Sequence, residues 1–174
     1  PEFAPIHEEL LAIYNSRDRI PFVSIRGPWV YNFWRDAEHV RGLWRRTFLD
    51  SYLTDEPVWE TVLDMDALAE ADGENWVFKG AQGLAPEYRR YLVNLSRGGG
   101  DAVVVREFDA VTKTWVDGGF ELPEAKSQVG WKDEDTIWVG TDFGEGSLTE
   151  SGYPRVVKEW RRGTELSEAS TVFE

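Results

Sequence analysis

The strongest constraint in this sequence is a repeat of strand-like segments in groups of four. Residues 22–25, 29–34, 43–49 and 58–63 are rich in aromatic and β-branched side chains, and Gly, Pro, Asp or Asn break the chain between them. The pattern returns at 76–78, 90–95, 102–108 and 114–116, and again at 128–131, 136–140, 155–160 and 170–173. Such segments read as short antiparallel strands. The groups open near positions 21, 75 and 127. That spacing of roughly fifty residues, with four strands to a group, is the mark of β-propeller blades. The expected fold is therefore all-β: a partial β-propeller of about three four-stranded antiparallel blades, at 21–66, 67–118 and 119–174. A β-sandwich of twelve strands is the rival, but it has no need of a four-strand period.

The first twenty residues follow another period. Ile6, Leu10, Leu11, Ile13 and Tyr14 fall at helical spacing within residues 5–15, so residues 1–20 are expected to form a short N-terminal helix and linker. Three blades do not close a ring, because propellers are typically built from about four to eight. The chain is accordingly expected to be a fragment of one propeller domain.

Composition narrows the function. With 41% hydrophobic and 14% aromatic residues the chain can build a core, which argues against disorder. No apolar run is long enough to cross a membrane. No leader opens the chain, so a cytoplasmic location is expected. The absence of cysteine excludes a disulfide framework, a thiol nucleophile and a thiolate metal site. A net charge of −13 makes a poor binder of nucleic-acid backbones and reads as solubility. The nine tryptophans, at strand positions, read as packing within and between sheets rather than as stacking platforms for sugars or prolines.

Loops carry function on such scaffolds. In a four-stranded meander the loops between second and third strands share a rim with those between blades. That rim takes in residues 36–41, 97–100 and 141–154, plus 66–75 and 118–126. His39 lies between acids and could act as a base, but only His7 accompanies it in the chain, and a solvated turn is the better reading. Asp133, Glu134 and Asp135 resemble a calcium-ligand run without the EF-hand spacing, and a hairpin turn explains them. Glu121, Glu124, Asp142 and Glu145 could supply paired carboxylates for glycoside hydrolysis, although acids are so numerous that such pairs arise by chance. Residues 96–101 are glycine-rich, but no Lys-Ser/Thr follows, so they do not form a phosphate loop. Gly144-Glu145-Gly146-Ser147-Leu148 does not match a nucleophile elbow. Asn94-Leu95-Ser96 is formally a glycosylation sequon but falls within a strand. No catalytic, cofactor-binding or metal-ligating residue is assigned, and no cofactor is expected.

A family resemblance then enters. Trp29-Val30-Tyr31-Asn32-Phe33-Trp34-Arg35-Asp36, Arg41-Gly42-Leu43-Trp44-Arg45-Arg46 and Trp59-Glu60-Thr61-Val62-Leu63-Asp64 resemble the first propeller blade of prolyl oligopeptidase-type serine peptidases, closest to their bacterial branch. Residues 88–99 look like that family's second blade, and residues 121–131 like the entry to its third. The resemblance implies a seven-bladed propeller that covers a C-terminal α/β-hydrolase domain carrying the Ser-Asp-His triad. The propeller would admit short peptides and exclude folded proteins. No triad residue has a counterpart here. The family often places an apolar substrate-facing residue where this chain has Lys126 or Ser127, so no substrate contact is carried over.

The expected role is gating and selecting short peptides for a catalytic domain outside this chain, which alone should be inactive. A stand-alone peptide- or glycan-binding module is the alternative, and a glycosidase-like propeller the third reading. The expected partners are the hydrolase domain and short peptides, without nucleic acid or membrane. Self-association through open blade faces is also expected, because a cut propeller exposes apolar sheet faces.

Overall fold

The computed structural model describes residues 3–16 and 22–174. The part of the linker and the opening of the first group that fall on residues 17–21 lie outside the described residues. The chain forms two compact units, Pro1–Gly73 and Glu74–Glu174. Among the described residues no helix is long and apolar enough to cross a membrane.

The first unit opens with helix α1 (Phe3–Asn15), two residues longer at its start than expected, with its apolar residues exposed. An antiparallel sheet follows in the order β1 (Val23–Arg26), β2 (Trp29–Trp34), β3 (Leu43–Phe48) and β4 (Glu60–Asp64). A single helical turn, α2 (Leu49–Tyr52), follows β3. Residues 66–75, read as a rim loop, instead belong largely to helix α3 (Met65–Asp72). Its local cause is plain. The Asp64 carboxylate accepts the N–H groups of Asp66 and Ala67, and Gly73 ends the helix in the left-handed conformation at φ 65°. Met65, Leu68 and Ala69 give it a buried face.

The second unit holds two sheets. One is β5 (Trp76–Gly83), β6 (Arg90–Arg97), β7 (Val103–Asp109) and β8 (Thr114–Trp115), with β9 (Glu121–Ala125) also paired to β7. The other runs β10 (Gln128–Asp133), β11 (Thr136–Gly140), β12 (Val157–Arg161) and β13 (Ser170–Phe173). All neighbours are antiparallel.

β9 corrects the reading of residues 118–126 as a loop, and a division at 118/119 cuts through this sheet. β8 and β9 pair with the same edge of β7, Trp115 opposite Phe108 and Glu121 opposite Arg106. Between them Glu107 meets two partners: its C=O accepts from Val116 N–H, and its N–H donates to the Phe120 carbonyl. Residues 117–119 are thus looped out of what is one interrupted outer strand, a bulge larger than the usual single extra residue. Glycine permits the fold-back. Gly118 sits at φ 63°, and a Cβ on Gly119 would lie 2.9 Å from Val116 and 3.0 Å from Glu107.

Leu92, Val103, Val105, Phe120 and Leu122 of one sheet pack with Val129, Ile137, Val139 and Trp160 of the other in a single buried cluster. Burial of each such side chain stabilises by about 1.5–3 kcal/mol. The described residues form three antiparallel sheets of four or five strands with few helices, a mostly-β content that matches a partial propeller domain.

Candidate functional site

In the first unit the turn after β2 is drawn around one carboxylate. Asp36 accepts the Trp34 indole N–H at 2.9 Å, the backbone N–H groups of Glu38 and His39 at 3.0 and 2.8 Å, and lies 3.0 Å from His39 Nδ1. The Trp34 bond is the largest cause that holds the Asp36 carboxyl well below the usual carboxylate range, followed on that side by its bonds from His39 and Glu38, against the opposing pull of burial. His39 is thereby a member of an Asp-centred turn. At the end of the same loop Asp66 accepts the N–H of Arg41 through both oxygens at 3.1 Å, which ties the loop to the first turn of α3. His7 lies on α1, stacked against Phe3.

In the second unit three connections meet at one end of the sheets: the turn between β6 and β7, the step from β9 to β10, and the long excursion between β11 and β12. Tyr153 donates its phenol to Asp101 at 3.1 Å. Lys126 donates to the Ser151 carbonyl at 2.6 Å, lies 3.8 Å from Asp101, and sits 4.4 Å from the Tyr153 ring centre. The bond to Asp101 raises the Tyr153 phenol above its ordinary value, because the carboxylate favours the protonated form. Arg97 bridges Glu74 and Glu124, both at 3.0 Å, with its guanidinium 4.8 Å over Trp76. Ser127 shares a 2.7 Å hydrogen bond with the buried Thr141. Lys126 and Ser127 are thus rim-binding residues, each committed to a neighbouring loop.

The four carboxylates considered for glycoside chemistry are not gathered into one pair. Glu124 pairs with Arg97. Glu121 lines a cavity of about 380 Å³ beside the bulge, with Trp115, Arg106 and Asp117. Asp142 accepts the Gly144 N–H, and Glu145 lines a separate cavity of about 300 Å³ with Phe143, Arg155 and Lys158. Asp133 accepts the Asp135 N–H within the hairpin joining β10 to β11. Ser147 uses its hydroxyl inside its own turn, donating to the Gly144 carbonyl at 2.6 Å and accepting the Phe143 N–H at 2.9 Å. Asn94 lies mid-strand opposite Val105, its side-chain oxygen buried.

Two charged residues escaped the sequence reading. Glu107, whose side chain is fully buried, accepts two bonds from Arg162 at 2.8 and 3.1 Å and one from the Phe120 N–H at 2.9 Å. The sequence signal for them is weak, because Glu107 stands beside Arg106 in a strand that also ends on Asp109, and Arg162 lies more than fifty residues away.

The arrangement joins loops through their polar side chains. Comparison with known proteins gives that arrangement a context. Residues 2–174 match the family model for the prolyl oligopeptidase N-terminal β-propeller domain. An uncharacterized peptidase of Sinorhizobium fredii is 44% identical over 99% of this chain and 24% of its own length. One from Rickettsia prowazekii is 34% identical over 99% of this chain and 25% of its own. The chain thus spans about a quarter of the curated relatives it matches. Among solved structures, a post-proline cleaving enzyme from Rickettsia typhi superposes with a TM-score of 0.91 at 34% identity, over 99% of this chain and 26% of that one. Oligopeptidase B from Leishmania major shares the fold, with a TM-score of 0.73 at 15% identity over 99% of this chain and 23% of that one. The chain belongs to the prolyl oligopeptidase family, and it matches the N-terminal β-propeller domain of that family.

Proposed function

We propose that this chain acts as part of the propeller of a prolyl oligopeptidase-like serine peptidase. In this reading its rim loops help to select short peptides for a catalytic α/β-hydrolase domain outside these residues. The observation that carries it is the alignment of nearly the whole chain with about a quarter of relatives named as peptidases. The rim adds support, because its cations and aromatics are held by neighbouring loops rather than set beside a nucleophile. Peptide-bond cleavage needs an activated nucleophile and an oxyanion site, and these are assigned to the partner domain. A cytoplasmic setting belongs to the same reading and suits a cysteine-free composition.

Incubation of the chain with a proline-containing chromogenic peptide tests the division of labour. No chromophore release is expected; release that a serine-directed inhibitor abolishes overturns the reading. The gating role is tested in the whole peptidase, by cleavage of a short peptide against the same sequence within a folded protein. Lys126→Ala with Tyr153→Phe is expected to narrow the preference for the short substrate. An unchanged preference argues against a role for this rim.

A further inference from the structure

We propose that Glu107 and Arg162 form a registration clamp: the pair sets the angle at which the third sheet is mounted on the second, and so fixes the spacing of their rim loops. The apolar cluster between these sheets, from Leu92 and Val105 across to Ile137 and Val139, supplies attraction without direction. Apolar contact has no preferred bond angle, so such a cluster sets orientation through shape alone. The Arg162 guanidinium is directional. It forks onto both Glu107 oxygens, donates to the Glu134 carbonyl at 2.6 Å, lies 3.3 Å from Asp135, and sits 4.6 Å over the Phe120 ring. Glu107 is in turn fixed by the Phe120 N–H that closes the bulge. A bidentate planar pair with this many fixed partners permits one orientation.

Other directional contacts between the two sheets are weaker locks. Trp131 donates one bond to the Gln82 carbonyl, a single point about which a sheet can still turn. Tyr153 and Asp101 meet at the rim in exposed positions, where such contacts contribute little. Glu107 lies six residues along the chain from Asp101, roughly 20 Å in extended chain. A tilt of about 10° at the clamp therefore displaces the rim by roughly 3–4 Å at that lever length. That is enough to part Tyr153 from Asp101. A buried ion pair that adds specificity rather than net stability behaves in this way. The functional consequence rests on the rim reading above, but the geometric test does not.

The chain has no cysteine, so spin labels can be placed without background. Gly100→Cys and Glu150→Cys put one label on each rim loop; a Cβ on Gly100 meets no atom within 4 Å, and residue 150 is exposed. The labelled chain is expected to give one narrow distance distribution. Adding Glu107→Leu with Arg162→Met removes both charges together. It is expected to leave the unfolding midpoint similar or higher while the label distribution broadens or shifts by roughly 3 Å, the displacement set by that lever. A distribution that stays narrow and unmoved overturns the proposal. If the double variant does not fold, Arg162→Lys decides, since it keeps a cation for Glu107 but cannot fork onto both oxygens and reach Glu134. Broadening in Arg162→Lys supports the clamp, and an unchanged distribution refutes it. The measurement uses no peptide, so its failure is separate from any failure of the gating reading.

Discussion

The two units cover the faces of their β-sheets with different chemistry. In the first, the sheet is dressed with aromatic rings and cations. Trp29 stacks on Phe48 at 3.8 Å and Tyr31 on Trp44 at 5.3 Å. Arg45 lies between the rings of Trp34 and Trp59 at 4.3 and 4.4 Å, and donates to the Asn32 side-chain oxygen. Arg46 covers Trp29 at 4.0 Å while it bonds Glu60 and Tyr31. In the second unit the core is mostly aliphatic, and the fully buried carboxylate of Glu107 faces an arginine from the other sheet. The difference teaches where a cation's worth comes from. In the first unit arginines cover ring faces that are partly open to water, and their removal costs packing. In the second, removal of the arginine strands a carboxylate away from water.

The contrast can be broken most severely at Arg162. Arg162→Ala leaves Glu107 buried without its counter-charge and is expected to cost about 3–5 kcal/mol, read from denaturant unfolding. A cost under about 1 kcal/mol, the range of surface pairs, would erase the distinction between the units. Leu92→Ala probes the aliphatic side of the comparison. The residue is fully buried, and a loss of about 2–5 kcal/mol is expected in the same assay. Arg45→Ala probes the aromatic side. It uncovers two indoles and frees Asn32, and about 1–2 kcal/mol is expected. A larger loss than at Arg162 would invert the argument. Asp64→Ala removes the N-terminal cap of α3 and is expected to cost about 1 kcal/mol, with the loss of helical signal confined to the first unit.

The smallest effect is pH dependence. Burial pushes the Asp109 carboxyl up, but the Thr112 N–H, the Arg89 guanidinium and the Val111 N–H outweigh it, so the net shift is downward. Asp36 in the first unit is also depressed. A carboxyl depressed on folding binds fewer protons in the native state than in the unfolded one. Its contribution is therefore complete above the ordinary aspartate value near ~4 and is lost as pH falls through the lower folded value. Asp109→Asn and Asp36→Asn should each flatten the acid limb of the stability curve. A limb as steep as in the unaltered chain would assign acid sensitivity to other carboxylates.

Much of the strand pattern was legible because it depends on alternation and on turn residues within a few positions of one another. Trp29 to Trp34 and Leu43 to Phe48 read as strands and are strands. α3 is readable in principle, since Asp64 at its start and Gly73 at its end are ordinary helix signals, although the strand period alone leaves residues 66–75 as a loop between groups. β9 was harder. Pro123 and three glutamate or alanine neighbours argue against a strand locally, and only the free edge of β7 makes residues 121–125 one. At the rim, Lys126 and Ser127 drew notice through a family pattern, but their partners Ser151, Asp101 and Thr141 lie at distances in sequence that no local rule spans.

The sequence alone determined the strand periodicity, the resemblance to a peptidase propeller and the absence of a thiol, because these are properties of neighbouring residues and of composition. Tertiary structure alone decided that Glu107 would be buried against Arg162, that residues 117–119 would loop out of a strand, and that Tyr153 would reach Asp101. The physical reason is that burial, edge pairing and charge complementarity are set by which surfaces meet. Those meetings join residues some fifty positions apart in the chain, such as Glu107 with Arg162 and Asp101 with Tyr153.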